Sequence, residues 1–483
     1  SVSAFPSQDL RESQSEASQY AVASYLRDSG ALTLQASLYG RYSTLQFKPD
    51  EIGDILFNGV AQTAGKEDVD AGVQIDATYR LNERHTLRAG VLLDVDHAIS
   101  ATRSGVLLID DDPASPGFGQ ETSQTPFVIV DDTAATAQTY SAYLQDEWKL
   151  AQSLTLNAGL RFDLFDGFRS EHQLSPRLNL VWSATPSTTV HVGYARYFSP
   201  PPFELVGGET VAKFVQPLPG NPAVTSTGSP VVAACGQLVA TTACPLVSAD
   251  TTPFAERANY FDVGAEQKVG RGLTVSLDSY LKLSKNLVDE GQFGAPVILT
   301  PFNYARGRQY GVELSASYER GPLSAYGNVA YSVAQGEDWI SSQFSFSQAA
   351  LDYVAGHYVY LDHDERITAS AGASYLWRGT RFGGDLIVGS GLRADEPVAP
   401  VTEPGGSVLA AIPNGEELPA YAQLNLAVSH RFERVAGGPL EVRLDVINAL
   451  DAVYQIRNGA GIGVFAPQYG PRRGFFVGVT KDF

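Results

Sequence analysis

GFFVGVTKDF, residues Gly474 to Phe483, closes the chain on an aromatic side chain. Stepping back from Phe483 in twos passes through Lys481, Val479, Val477 and Phe475, while Asp482, Thr480, Gly478 and Gly474 occupy the other face. A period of two describes a β-strand with one apolar face. Such a strand fits the inner face of a soluble sandwich. It fits equally the last strand of a closed barrel, which has to pair with the first.

The same alternation recurs along the chain and decides between them. Leu154, Leu156, Ala158, Leu160, Phe162 and Leu164 alternate with Thr155, Asn157, Gly159, Arg161 and Asp163. Leu273, Val275, Leu277, Leu281 and Leu283 alternate with Thr274, Ser276, Asp278, Tyr280 and Lys282, and Ile367 to Trp377 behaves likewise. Further strands run over Leu87 to Val95, Val73 to Leu81, Val312 to Tyr318, Leu323 to Tyr331 and Leu440 to Val446. Roughly seventeen strands are expected, many of about ten residues, the length a tilted strand needs to cross a bilayer. Strands of soluble proteins average about half that.

Composition agrees. In 483 residues, aromatics reach 10%, with 23 Tyr, 23 Phe and 46 Gly, yet the mean hydropathy is only -0.09. A membrane barrel hides its hydrophobicity in this way, because only alternate residues meet lipid. No run of about eighteen apolar residues marks a helical span. The net charge of -19 argues against nucleic-acid binding, which needs a basic surface to neutralise phosphates. Neither a signal peptide nor any Met is present, so the chain is expected to be a processed or truncated piece of a longer one.

Connections alternate between short and long. Arg27 to Gly30, Leu81 to His85, Leu150 to Ser153, Ala184 to Ser187, Val269 to Gly272, Glu319 to Pro322, Arg378 to Thr380 and Glu433 to Gly438 are short. Phe47 to Asp68, Ala98 to Thr136, Phe165 to Gln173, Ser199 to Phe254, Asn286 to Gly307, Gln335 to Glu365, Leu392 to Leu418 and Asn448 to Arg473 are long. Short turns at one end and long loops at the other predict an all-β, transmembrane antiparallel barrel of the bacterial outer membrane, with the long loops outside. Tyr140, Trp148, Trp182, Tyr375 and Trp377 stand where interfacial aromatic girdles belong. An odd strand count leaves the two chain ends on opposite sides, so at least one further strand is expected before Ser1.

Specific runs then become familiar. YSAYLQDEWKL (Tyr140 to Leu150), LTLNAGLRFD (Leu154 to Asp163), LSPRLNLVW (Leu174 to Trp182), GYARYFSPPPFEL (Gly193 to Leu205), FNYARGRQYGVELSASY (Phe302 to Tyr318) and LDVINALDAVY (Leu444 to Tyr454), with the closing QYGPRRGFFVGVTKDF, occur in order. Together they resemble the barrel of TonB-dependent outer-membrane receptors. The resemblance implies a barrel of about 22 strands around an N-terminal plug, which takes up a scarce nutrient with energy relayed by the inner-membrane TonB complex. It also implies that Phe483 is the signal read by the barrel-assembly machinery. Residues 1–483 read as a single barrel domain lacking about five strands, without plug or TonB box. Lys481 departs from the apolar residue usual at its position. A passive porin-like channel, or a barrel enzyme, is the alternative.

Candidate site residues follow from position. The segment from Ser199 to Phe254 is the expected substrate-capturing loop, with Phe203 and Glu204 as ligand-binding candidates, because variable loops on a rigid scaffold collect binding sites. Tyr304 and Arg306, beside Arg308 and Tyr310, are candidates for an anionic or sugar-like ligand, or else lumen-facing residues paired with Glu313 or neighbouring carboxylates. Cys235 and Cys244 are a candidate disulfide in an oxidising compartment, or two unused thiols. Asp110 to Asp112 with Asp131 and Asp132 form either a solvated loop or a Ca²⁺ site. His357 and His363 are the one histidine pair near ligand spacing. No metal, no cofactor and no catalytic residue is expected: the chain has neither HExxH nor G-x-S-x-G. The expected partners are outer-membrane lipid, the TonB complex through a plug, the assembly machinery and a small nutrient.

Overall fold

In a computed structural model, the described residues are 9–107, 116–117, 120–122, 124–202, 232–233, 246–247, 253–293, 298–341, 346, 348–403, 406–435, 437–459 and 467–481. Long strands follow one another as β1 (Ser13–Asp28), β2 (Leu32–Lys48), β3 (Val60–Arg80), β4 (His85–Val106), β5 (Phe127–Ala151) and β6 (Leu154–Asp166). Next come β7 (Ser170–Thr185), β8 (Thr188–Ser199), β9 (Glu256–Val269), β10 (Leu273–Phe293), β11 (Ile298–Arg320) and β12 (Leu323–Trp339). The wall ends with β13 (Ile367–Trp377), β14 (Thr380–Gly389), β15 (Tyr421–Val435), β16 (Gly438–Ile447) and β17 (Gly474–Lys481). Each pairs antiparallel with its neighbours in sequence, from β1 with β2 to β16 with β17. The two-residue strand Val359–Tyr360 on β12 brings the sheet to 18 strands.

The meander is built from local chemistry. Between β13 and β14 Trp377 pairs with Thr380, leaving Arg378 and Gly379 as a two-residue loop at φ 49 and 82. This positive-φ pair turns a hairpin in the direction that strand twist requires. Between β3 and β4 the Asn82 Oδ1 accepts from the amides of Arg84 and His85 at 2.8 and 3.0 Å.

The wall is inside out relative to a soluble protein. On β6, Leu160 and Phe162 are 45% and 42% exposed, whereas Asp163 beside them is 9% exposed. Asp163 faces inward, held by Arg161 at 2.7 Å and by the Ser141 hydroxyl at 2.6 Å. Arg88 with Glu147 at 2.8 Å and Tyr143 with Asp76 at 2.7 Å continue this polar lining. On β17, Phe475, Val477 and Val479 are 65–72% exposed with nothing packed over them; the sandwich alternative is thereby removed. Trp148, Trp182, Tyr375 and Trp377 are exposed at the short-turn end. Tyr140, also exposed, stands eight residues before Trp148, about 27 Å along the strand or, at the usual tilt, about 20 Å in height, and thus toward the opposite edge of a lipid-facing band about 25 Å tall.

Two expectations are corrected. The connection Asn286 to Gly307 is largely strand, and both ends of Ala98 to Thr136 are strand, because β4 and β5 extend to Val106 and Phe127, and β10 and β11 to Phe293 and Ile298. Asp131 and Asp132 therefore sit on β5, opposite Thr102 and Ala101, rather than in a loop. Ladder hydrogen bonds hold backbone groups together above the lipid band without any need for apolar alternation there, and the sequence pattern tracks only the lipid-facing part. Among the described residues, β1 pairs only with β2 and β17 only with β16.

Candidate functional site at the barrel mouth

At the long-loop end, β10 changes character at Asn286. This residue has φ 54 and drops out of the ladder, which keeps its register on either side: Lys285 opposes Arg306 and Leu287 opposes Tyr304. Asn tolerates this left-handed conformation better than most side chains. Beyond it, Leu287 joins Phe302, Tyr304, Trp339, Phe346, Val354, Val359 and Leu361 in a buried cluster, covered by the short helix α1 (Gln348–Val354). Trp339 stacks on Phe346 with ring centres 3.9 Å apart, and Phe302 meets Phe346 edge-on at 4.9 Å. These are the spacings of a packed core rather than of a membrane wall.

Polar anchors fix the segments around that cluster. Asn303 is wholly buried; its Oδ1 accepts from the Phe254 amide at 2.7 Å and the Ser341 hydroxyl at 2.8 Å. Its Nδ2 donates to the carbonyls of Phe254 and Asn286 at 2.9 and 3.0 Å. Asp364, also buried, accepts from the Ala334 amide at 2.6 Å and from Arg393 Nε and Nη2 at 2.9 and 2.8 Å. The Leu361 amide donates to Ala334 O at 3.1 Å. Asp362 and His363 are thus suspended between two anchored residues.

They face a cavity of about 310 Å³ lined by Pro202, Val288, Asp289, Glu290, Asp362, His363 and Arg457. Asp289 Oδ1 accepts the Glu290 amide at 2.9 Å, while its Oδ2 is buried and has no hydrogen-bond partner. Asp362 contacts His363 Nδ1 through Oδ1 at 2.7 Å and Arg457 Nη1 through Oδ2 at 2.9 Å. Burial, reinforced by the Asp362 charge, pushes the Asp289 carboxyl up to about 7. The hydrogen bond to Asp362 raises His363, against the effect of its own burial. One ligand atom from each of Asp289, Asp362 and His363 lies within 4.8 Å of the others. The lining offers carboxylates, an imidazole and a guanidinium, groups suited to holding a polar or charged ligand.

Of the residues singled out from the sequence, Tyr304 is fully buried in the aromatic cluster. Arg306 shares a strand face with the exposed Tyr310, Val312 and Leu314, not the lumen face, and pairs at 3.2 Å with the neighbouring carboxylate of Glu337. Neither lines the cavity. His357 stacks on Tyr353 at 4.4 Å and contacts its carbonyl, apart from His363. Phe203, Glu204, Cys235, Cys244, Phe483 and Asp110 to Asp112 lie outside the described residues. Asp289, Asp362 and Arg457 each come from a different connection, so no local pattern marks them together. The dense charge of YLDHDER, Tyr360 to Arg366, was the one visible signal.

The LDVINALDAVY element acts as a clamp at the same end. Asn448, wholly buried with φ 48, donates to the carbonyls of Ala452 and Pro471, both at 2.8 Å, and accepts from the Ala452 amide at 2.9 Å. It thereby closes the base of the last connection before β17.

The family model described as TonB dependent receptor-like, beta-barrel matches residues 3–449. The chain is 30% identical over 160 residues to the TonB-dependent transporter Oar of Myxococcus xanthus, a match spanning 27% of this chain and 15% of that protein. The siderophore receptor PiuA from Acinetobacter baumannii superposes with TM-score 0.62 at 13% identity, over 97% of this chain and 64% of its own. The copper transporter OprC superposes with TM-score 0.59 at 16% identity, over 96% and 65% respectively. The chain thus spans less than two thirds of these relatives, and at such identities the superpositions show the fold alone. With the family match across most of its length and an apolar-out, polar-in wall, the chain belongs to the TonB-dependent receptor family of outer-membrane β-barrels.

Proposed function

We propose that this chain is the greater part of the barrel of a transporter that captures a scarce nutrient at its outer mouth and passes it inward with energy relayed by TonB. The observation that carries this reading is the mouth itself: a polar-lined wall opens at its long-loop end onto a built cavity flanked by an aromatic core. Barrel transporters concentrate recognition there, on a rigid wall. PiuA and OprC are named for a siderophore and for copper; the nutrient belongs to the siderophore, cobalamin, oligosaccharide or peptide class. Unpaired strand edges are not tolerated in lipid, so the outer rows of β1 and β17 are completed by further strands, with a plug carrying the TonB contact and Phe483 serving assembly.

The test is uptake. Cells depending on the full-length protein for a limiting nutrient lose growth when TonB is inactivated. Undiminished growth would instead favour a passive channel, as would steady open conductance of the intact protein in planar bilayers.

A further inference from the structure

We propose that Asp289, Asp362 and His363 form a binding site for one divalent transition-metal ion at the barrel mouth. Three observations meet there. The ligand atoms lie within 4.8 Å of one another, and ligands about 2.1 Å from a shared ion stand about 3 to 4 Å apart, so small side-chain rotations close the shell. Asp289 Oδ2 is buried beside the cavity without a hydrogen-bond partner. A buried oxygen in that state lacks a counterpart, and a cation supplies one. Finally, the supports are in place. Glu290's amide holds Asp289 Oδ1 and Arg457 holds Asp362 Oδ2, the outer contacts that orient ligating carboxylates.

The donor set also selects the ion. Two carboxylates balance a double positive charge, and an imidazole nitrogen favours Zn²⁺ or its transition-metal neighbours over Ca²⁺ and Mg²⁺, which prefer all-oxygen shells. Binding exchanges the proton shared by His363 and Asp362, 2.7 Å apart, for two bonds to one ion, leaving the remaining positions to water or to a donor from a captured molecule. The ion also clips together two segments distant in sequence, the outer end of β10 and the segment before β13, with the strand Gln455–Arg457 joined through Arg457. This goes beyond the transport reading and stands apart from it.

The experiment is a calorimetric titration of the chelator-treated full-length protein in detergent with Zn²⁺, and separately with Ca²⁺. One Zn²⁺ per chain is expected, weakened at least tenfold in Asp289→Asn and in His363→Ala, with both variants keeping the circular dichroism of the folded barrel. Arg457→Gln weakens binding less. Absence of saturable Zn²⁺ binding, Zn²⁺ binding unchanged in both ligand variants, or equally tight Ca²⁺ binding would overturn the site. The titration reads binding without transport, so its failure and a failure of TonB-dependent uptake are told apart.

Discussion

The lower wall and the outer mouth are built from the same strands by opposite rules. In the wall, Leu144 and Leu160 oppose each other and both stand exposed, while Arg161 and Asp163 turn inward. At the mouth, Trp339, Phe302 and Leu361 are buried and packed, as in a soluble core. The solvent changes along the strand. Where the outside is hydrocarbon, apolar side chains gain nothing by leaving it; above the headgroups the outside is water and burial drives packing again.

That contrast can be broken from either end. The largest expected effect is Trp339→Ala, which empties the centre of the mouth cluster. Removing a buried Trp costs about 3–5 kcal/mol, confined to this region. Hydrogen exchange of 286–293, 298–303 and 353–361 accelerates while that of β5 and β6 does not, and loss of protection throughout the wall would refute the separation. Next is Leu160→Arg, near the midplane of the band between Tyr140 and Trp148, at about 2–4 kcal/mol in membrane unfolding measurements. The inward-facing Gln145→Arg stays within about 0.5 kcal/mol; equal penalties for the two would contradict the assignment of faces.

Asn448→Ala strips the clamp of its amide bonds to Ala452 and Pro471 and costs about 1–3 kcal/mol for the groups left unpaired. Proteolytic nicking between β16 and β17 should rise with transport-side contacts untouched. The smallest effect belongs to Asp451. The hydrogen bonds from Arg472 and then from the Arg473 amide hold its carboxyl well below the ordinary range. A depressed carboxyl contributes stability above its unfolded value of about 4 and loses it as pH falls through the folded value. Hydrogen exchange at Ala449 to Ala452 therefore quickens on acidification from about pH 4 downward, slightly, since the group is exposed. Asp451→Asn shows that faster exchange already at neutral pH, and an unchanged acid response in the variant would rule out this pair.

Much of the wall was legible because period two and lipid are linked residue by residue. Leu154 to Leu164 announced its faces, and Arg378 with Gly379 its turn. The site was legible only in fragments. Tyr304 and Arg306 looked like ligand residues because aromatic and basic side chains adjoin in the sequence, but Tyr304 packs into the mouth core, while Arg306, two residues further along the strand, shares the outer face of the exposed Tyr310 and Val312.

By itself, then, the sequence determined the strand class, the inside-out wall and the family resemblance, since each depends on neighbours two residues apart or on short runs. The tertiary structure alone decided where β4, β5, β10 and β11 end, because ladder bonding above the membrane leaves no hydrophobic period. It alone brought Asp289, Asp362, His363 and Arg457 to one cavity. Residues that far apart in the chain meet only through the pairing of β10 to β12 and the anchoring of Leu361 and Asp364 to Ala334, and no local pattern encodes that meeting.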